Sequence, residues 1–218
     1  MSMNPSLKLI LVLVISLEIS LKPNLLANLI LISLTLIFLL FHHLSVKQFL
    51  LLLGFPFLGA FAIFSALYFF APNHNLIYAW TLFTRLYVFA FLGACVTLTT
   101  KPVELARSLE QNLHLPSKFA YGTMAAINIL PKIHEEIIQI HYAGLMRGTK
   151  FSFLSPRLYF KAILVSLTWT DNLTQGMLAH GYRENAMRSN LQPILLTKKD
   201  WLLFIGLLLV TQPIIFLF

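Results

Sequence analysis

The sequence predicts an all-α integral membrane protein, with about five transmembrane helices and a long amphipathic helical block inserted before the last of them. Three observations carry that prediction. Hydrophobic residues make up 58% of the 218 and charged residues only 11%, at a mean hydropathy of +0.78, whereas soluble domains carry about 25% charged residues. Apolar stretches recur at Leu9 to Leu21, Leu25 to Phe41, Phe49 to Ala71, Leu76 to Leu98 and Trp201 to Phe218, against the roughly 20 apolar residues that a hydrocarbon core of about 30 Å requires. Between the fourth and fifth stretches lies a polar block, Lys101 to Asp200, holding 12 of the 16 Lys and Arg and 7 of the 8 acids. The chain therefore divides into residues 1–100 with about four spans, 101–200 as the polar helical region, and 201–218 as the closing span.

The first stretch is short and carries Glu18, and Lys22-Pro23-Asn24 breaks it from the second. Lys8 followed by an apolar run, with Ala27 at a cleavage position, is the pattern of a signal peptide. Glu18 and the immediate second span oppose that reading, and the start is expected to be retained. Arg85 lies inside the fourth stretch, where a charge is expensive unless it pairs or snorkels. Glu18 is the one acid outside the polar block and its candidate partner. The single cysteine, Cys95, excludes an intramolecular disulfide and reads as a small buried hydrophobe.

Charge placement gives the orientation. The polar block carries a net +5 and belongs in the cytoplasm by the positive-inside rule. Counting outward, Pro72 to Asn75 is external, His42 to Lys47 internal, Lys22 to Asn24 external and the N-terminus internal. No interleaving of basic and aromatic residues outside the spans suggests nucleic acid. Anionic headgroups and an acidic partner surface account for the excess positive charge.

Prolines divide the polar block into three helices. Pro102 suits a first helical turn, Glu104 complements its positive end, and Ala106, Leu109 and Leu113 recur at helical spacing until Pro116 stops the run. The second helix runs from Ser117 to Arg147 with a kink expected at Pro131, and Ile133, Ile137, Ile140 and Gly144 mark its packed face. Ser155-Pro156 opens the third as N-cap and first helical residue, and it continues through Trp169 and Asp171 toward Ala179.

The second and third helices end alike. Ala143-Gly-Leu-Met146-Arg147-Gly148 and Met177-Leu-Ala179-His180-Gly181 each place a positively chargeable side chain and then a glycine at the helix terminus. The bland account is a cation favouring the negative helix end and a glycine closing it. Two such ends in one block also suit docking of helix ends into a partner, both presented to one side if the helices form an antiparallel pair or an X. Arg147 offers a planar fork of donors for carboxylates or helix-end carbonyls.

Read end to end, these features resemble the transmembrane T component of energy-coupling factor transporters, the ABC-type importers of vitamins and metal ions. The resemblance is carried by the Asn4-Pro5-Ser-Leu-Lys8-Leu9 start, the Arg85 span, Lys101-Pro102, Leu115-Pro116, and Ile129-Leu130-Pro131 followed by Glu135-Glu136 and Ala143. It continues through the two motifs, Arg188 and Asp200. It implies that residues 101–200 are coupling helices whose ends, each bearing Ala-Arg-Gly, dock in grooves of two ATPase subunits. The matching triplets are Met146-Arg147-Gly148 and Ala179-His180-Gly181. Met146 changes bulk only, whereas His180 is shorter, lacks the fork and makes the charge pH-dependent. Arg183 can supply the missing cation, or the second groove is adapted in an asymmetric or fused ATPase pair.

The resemblance further implies a connector without catalytic residues, metal or cofactor of its own, ATP and Mg residing on the ATPases. No G-x-x-x-x-G-K-[ST] occurs in the chain. A small membrane S component would hold the substrate on a platform that includes Leu105, Leu109 and Leu113, although these leucines equally suit internal packing. The implied location is a bacterial plasma membrane. An enzyme reading fails at His134-Glu135-Glu136, because Ile138 stands where H-E-x-x-H needs its second histidine. His134 and His141 lie about two turns, roughly 10.5 Å, apart along a helix, too far to share a zinc ion easily. Gly144 to Gly148 fits G-x-x-x-G but lies outside an apolar span. The alternative of a different class is a stand-alone secondary transporter, for which the spans offer few polar ligands and no repeated halves.

Overall fold

The computed structural model describes residues 3–42, 45–70, 75–149, 152, 154–183, 186 and 193–216. The external loop expected at Pro72 to His74, and Arg188, lie outside them. The described residues form α1 (Pro5–Leu21), α2 (Leu25–Phe41), α3 (Val46–Ser65), α4 (Leu76–Thr97), α5 (Pro102–Leu113), α6 (Ser117–Met146), α7 (Pro156–Ala179) and α8 (Lys198–Phe216), with a π-helical turn, Ala66–Phe70, continuing α3. The fold is all-α. Three helical segments, Val46–Phe70, Leu76–Thr97 and Lys198–Phe216, are long and apolar enough to cross a membrane, and α2 is a shorter apolar helix of 17 residues.

Helix starts follow cap chemistry rather than apolarity. α1 begins at Pro5, four residues before the apolar stretch, because Asn4 accepts the Ser6 N–H and Pro5 fits the first turn. Asn24 and Asn75 cap α2 and α4 in the same way, and Ser45 with Gln48 forms a reciprocal capping box on α3. Ser155 occupies the N-cap position of α7 as expected, but its hydroxyl makes no capping bond. α6 continues through Pro131 without ending.

Two compact units emerge, residues 1–108 with 194–218, and residues 109–193. These divisions differ from the compositional ones at 100 and 200. The first residues of α5 and the approach to α8 join the membrane helices through buried polar contacts that composition does not register.

In the first unit α4 is the central helix, packed by α1, α2 and α3. Leu11, Ile15 and Ile19 of α1 repeat every four residues and meet Leu31, Val88, Leu92 and Ile215. A second cluster joins Leu39 to Phe91, Ala94 and Cys95, which places the cysteine in the core. Asn28 donates from Nδ2 to the Thr81 carbonyl at 3.0 Å and to Thr84 Oγ1 at 3.2 Å. Lys8 Nζ donates to Thr99 Oγ1 at 2.7 Å and Thr100 Oγ1 at 3.2 Å. Glu18 does not take Arg85 as its partner: its Oε1 accepts from Gln212 of α8, against which α1 packs. Among the described residues no ion pair joins Glu18 to Arg85. α3 turns nearly all its surface outward, with Phe55 88% and Leu58 81% exposed, an arrangement that hydrocarbon tolerates and water does not.

The second unit centres on α6 and α7, which form an antiparallel hairpin. The chain reverses between Arg147 and Ser155, and at the far end Tyr121 meets Tyr182 edge-on, ring centroids 6.0 Å apart. Buried residues here are Ala120 and Gly144 on α6 and Leu158 and Ala162 on α7. Three of the four are small, and Leu158 is the one large side chain among them. α5 enters this unit at Leu109 and ends where His114 adopts φ 53°, a left-handed turn made without glycine.

Candidate partner-docking site

The ends of α6 and α7 close with the same pair of backbone bonds. After Arg147, the Gly148 N–H donates to the Leu145 carbonyl at 3.0 Å and the Thr149 N–H to the Gly144 carbonyl at 2.9 Å. After His180, the Gly181 N–H donates to the Leu178 carbonyl at 2.9 Å and the Tyr182 N–H to the Met177 carbonyl at 2.9 Å. Both are Schellman caps. The reversal requires a left-handed residue, and Gly148 (φ 71°) and Gly181 (φ 80°) supply it. Arg147 and His180 occupy the same C-cap position, with φ near −90° and −82°.

The caps close the carbonyls of the last turn internally and leave the flanking side chains outside. Ala143, Met146, Arg147, Gly148, Ala179, His180, Gly181 and Arg183 are all exposed, Met146 to 85%. Arg147 and His180 each stand at the C-terminal, negative end of a long helix dipole, where a positive charge is favoured by about 0.3–1 kcal/mol. Each helix end thus sets an exposed apolar side chain, Met146 or Leu178, beside Arg147 or His180 on a glycine-closed turn. An added Cβ at Gly148 or Gly181 meets no atom within 4 Å, so an alanine there acts through backbone conformation alone. Gly148→Ala and Gly181→Ala are each expected to weaken their helix end by about 1–2 kcal/mol, read as faster hydrogen exchange of the Thr149 or Tyr182 amide. Unchanged exchange would show that the caps do not depend on glycine.

The antiparallel hairpin sets the caps apart. The 24 residues of α7 separate them by roughly 35 Å at ~1.5 Å per residue, so they are two separate features rather than one composite patch. One contributor that the sequence motif does not announce is Thr149, whose Oγ1 donates a further bond to the Gly144 carbonyl at 2.9 Å. Its signal was position alone, directly after Gly148. Of the platform leucines, Leu105 and Leu109 are half-buried and Leu113 is 47% exposed, a distribution that fits either packing or an interface. Among the described residues no three His, Cys, Asp or Glu side chains are placed to hold a metal ion.

The cobalt transport protein family, CbiQ, matches residues 1–191 of the chain. A similar curated protein is the energy-coupling factor transporter transmembrane protein EcfT of Lacticaseibacillus paracasei, 24% identical over 151 residues. That match covers 62% of this chain, which spans 57% of the relative's length. With a family match over most of its length, the chain belongs to the CbiQ cobalt transport protein family.

Proposed function

We propose that this chain is the energy-coupling transmembrane T component of an importer driven by separate ATPase subunits. The observation that carries the reading is the pair of matching Schellman caps, each presenting a cation, at opposite ends of one hairpin. Two ATPase domains, as separate subunits or a fused pair, each receive one cap, and their movement on binding and hydrolysing ATP with Mg displaces the hairpin. A small membrane S component holds the vitamin or metal ion and rests on the apolar surface of α5 at Leu105, Leu109 and Leu113. This chain performs no hydrolysis. It lies in a bacterial plasma membrane with its N-terminus and coupling helices on the cytoplasmic side, consistent with the net +5 of residues 101–200.

The cap at His180 is the weaker of the two, because an imidazole offers fewer donors than a guanidinium. Arg183, exposed beyond the cap, adds a second cation there.

The test is purification of the chain from its native membrane in mild detergent, with its partners identified by mass spectrometry. Recovery of ATPases together with a small membrane protein is the expected result. A chain that purifies alone and moves a solute by itself in vesicles is a secondary transporter, and the reading fails.

A further inference from the structure

The chain leaves the membrane unit after Ser108 and returns to it at Ile194, and one side chain grips both crossings. Asn4 Oδ1 accepts from Ser108 Oγ at 2.7 Å, and Asn4 Nδ2 donates to the Leu195 carbonyl at 3.4 Å. The backbone of the same residue donates to Asp200 Oδ1 at 3.0 Å. Around this centre the Ser6 N–H donates to Asn4 Oδ1 and to Ser108 Oγ, at 3.2 and 3.1 Å, and the Ser6 hydroxyl donates to Asn4 Oδ1 at 2.8 Å. Asp200 Oδ2 accepts the N–H and hydroxyl of Thr197 at 3.0 and 2.6 Å, and the Asp200 N–H returns to Thr197 Oγ1 at 3.3 Å, a capping box on α8. Asn4, Ser6, Ser108 and Asp200 are all buried.

Apolar contacts slide with little change in energy, whereas directional hydrogen bonds between buried groups hold one geometry and penalise any partner left alone. α5 passes through the first crossing as an unbroken helix, Pro102–Leu113, so the crossing is stiff. The second crossing is pinned three residues before α8 begins, at Leu195. Whatever movement α5 carries past Ser108, or the chain carries into Leu195, therefore meets α1 and α8 at one hydrogen-bonded centre.

We infer that Asn4, Ser108 and Asp200 form a clasp that delivers the movement of residues 109–193 to the membrane helices, and that they are positioning residues for energy coupling. This rests on the connector function proposed above.

The experiment needs no knowledge of the cargo. The chain, purified with its own ATPases, is compared by hydrogen exchange in MgATP with vanadate and in MgADP, for the wild type and for Asn4→Ala, Ser108→Ala and Ser108→Thr. In the wild type the nucleotide is expected to change exchange in residues 117–179 and also in α1 and α8. In Ser108→Ala and Asn4→Ala the change in 117–179 persists while that in α1 and α8 shrinks about fivefold or more, the low end of the factors usual for coupled sites. Ser108→Thr, which keeps the hydroxyl, restores it. A full response of α1 and α8 in Ser108→Ala overturns the clasp, and so does loss of both responses together, which marks a residue needed only for assembly. A wild-type chain with no nucleotide response in 117–179 marks failure of the connector function itself.

Discussion

Arg147→Glu will detach the ATPase from the α6 end of the hairpin while leaving the helices folded. The side chain sits at the C-cap, exposed, on a turn closed by backbone bonds of 3.0 and 2.9 Å in which it takes no side-chain part. Its reversal therefore spares the cap. It replaces a cation with an anion at the negative end of a helix and, in the proposed complex, opposite the acceptor groups of the ATPase. Removing one member of a desolvated, hydrogen-bonded charge pair costs about 2–5 kcal/mol in binding, and ~1.4 kcal/mol is a factor of ten. Affinity for that ATPase should fall on the order of a hundredfold or more. His180→Glu should produce a smaller loss, because the imidazole makes fewer bonds and Arg183 remains, and His180→Arg should tighten the second contact. Co-purified ATPase, quantified per copy of this chain, is the readout. Equal retention in wild type and Arg147→Glu would show that the cap is not a docking element.

The second large effect lies inside the hairpin. Leu158 is 0% exposed, and the other buried residues of α6 and α7 are Ala120, Gly144 and Ala162. Leu158 is the one large side chain among them. Leu158→Ala should destabilise the hairpin by about 2–5 kcal/mol, the range for a fully buried leucine. Exchange of residues 117–179 should quicken while α4 stays protected, since Val88 and Leu92 of α4 pack with Leu11, Ile15, Ile19, Leu31 and Ile215 in the other unit. ATPase recovery should fall as well, although both motifs are intact, because the caps depend on the hairpin for their separation. Leu31→Ala is the converse control, loosening α4 and sparing the hairpin. Identical exchange in Leu158→Ala and wild type would remove Leu158 from this role.

Signals confined to a few neighbouring residues were legible in the sequence. Leu25 to Phe41 matches α2 residue for residue, Pro116 and Pro156 punctuate α5, α6 and α7, and both glycine-ended helices terminate where the motifs place them. What the sequence left open depends on distant partners. The sequence offered Arg85 as the partner of Glu18, and the packing of α8 on α1 supplies Gln212 instead. The polar centre around Asn4 spans 196 positions of sequence from its main chain to Asp200, so no periodicity announces it. The Asn4-Pro5 start is itself a helix-start signal, yet counting apolar residues alone begins the helix at Leu9. The separation of the two caps was likewise undetermined, because a repeated motif does not say which way its second helix runs.

The unequal lengths of the membrane helices bear on the lipid around them. α1 and α2 have 17 residues each, about 25 Å at ~1.5 Å per residue, whereas α3 with its π-helical turn runs for 25 residues. The apolar helix α2 is shorter than a hydrocarbon thickness of about 30 Å, and α3 is longer. Lipid that meets α2 would have to thin, and lipid beside α3 would have to thicken or let the helix tilt. Hydrophobic mismatch thus varies around the protein's perimeter, and a small neighbouring membrane protein meets a different bilayer thickness on each flank. The shape of the solvent, as well as contact between proteins, then biases which flank a partner occupies and how upright it stands there.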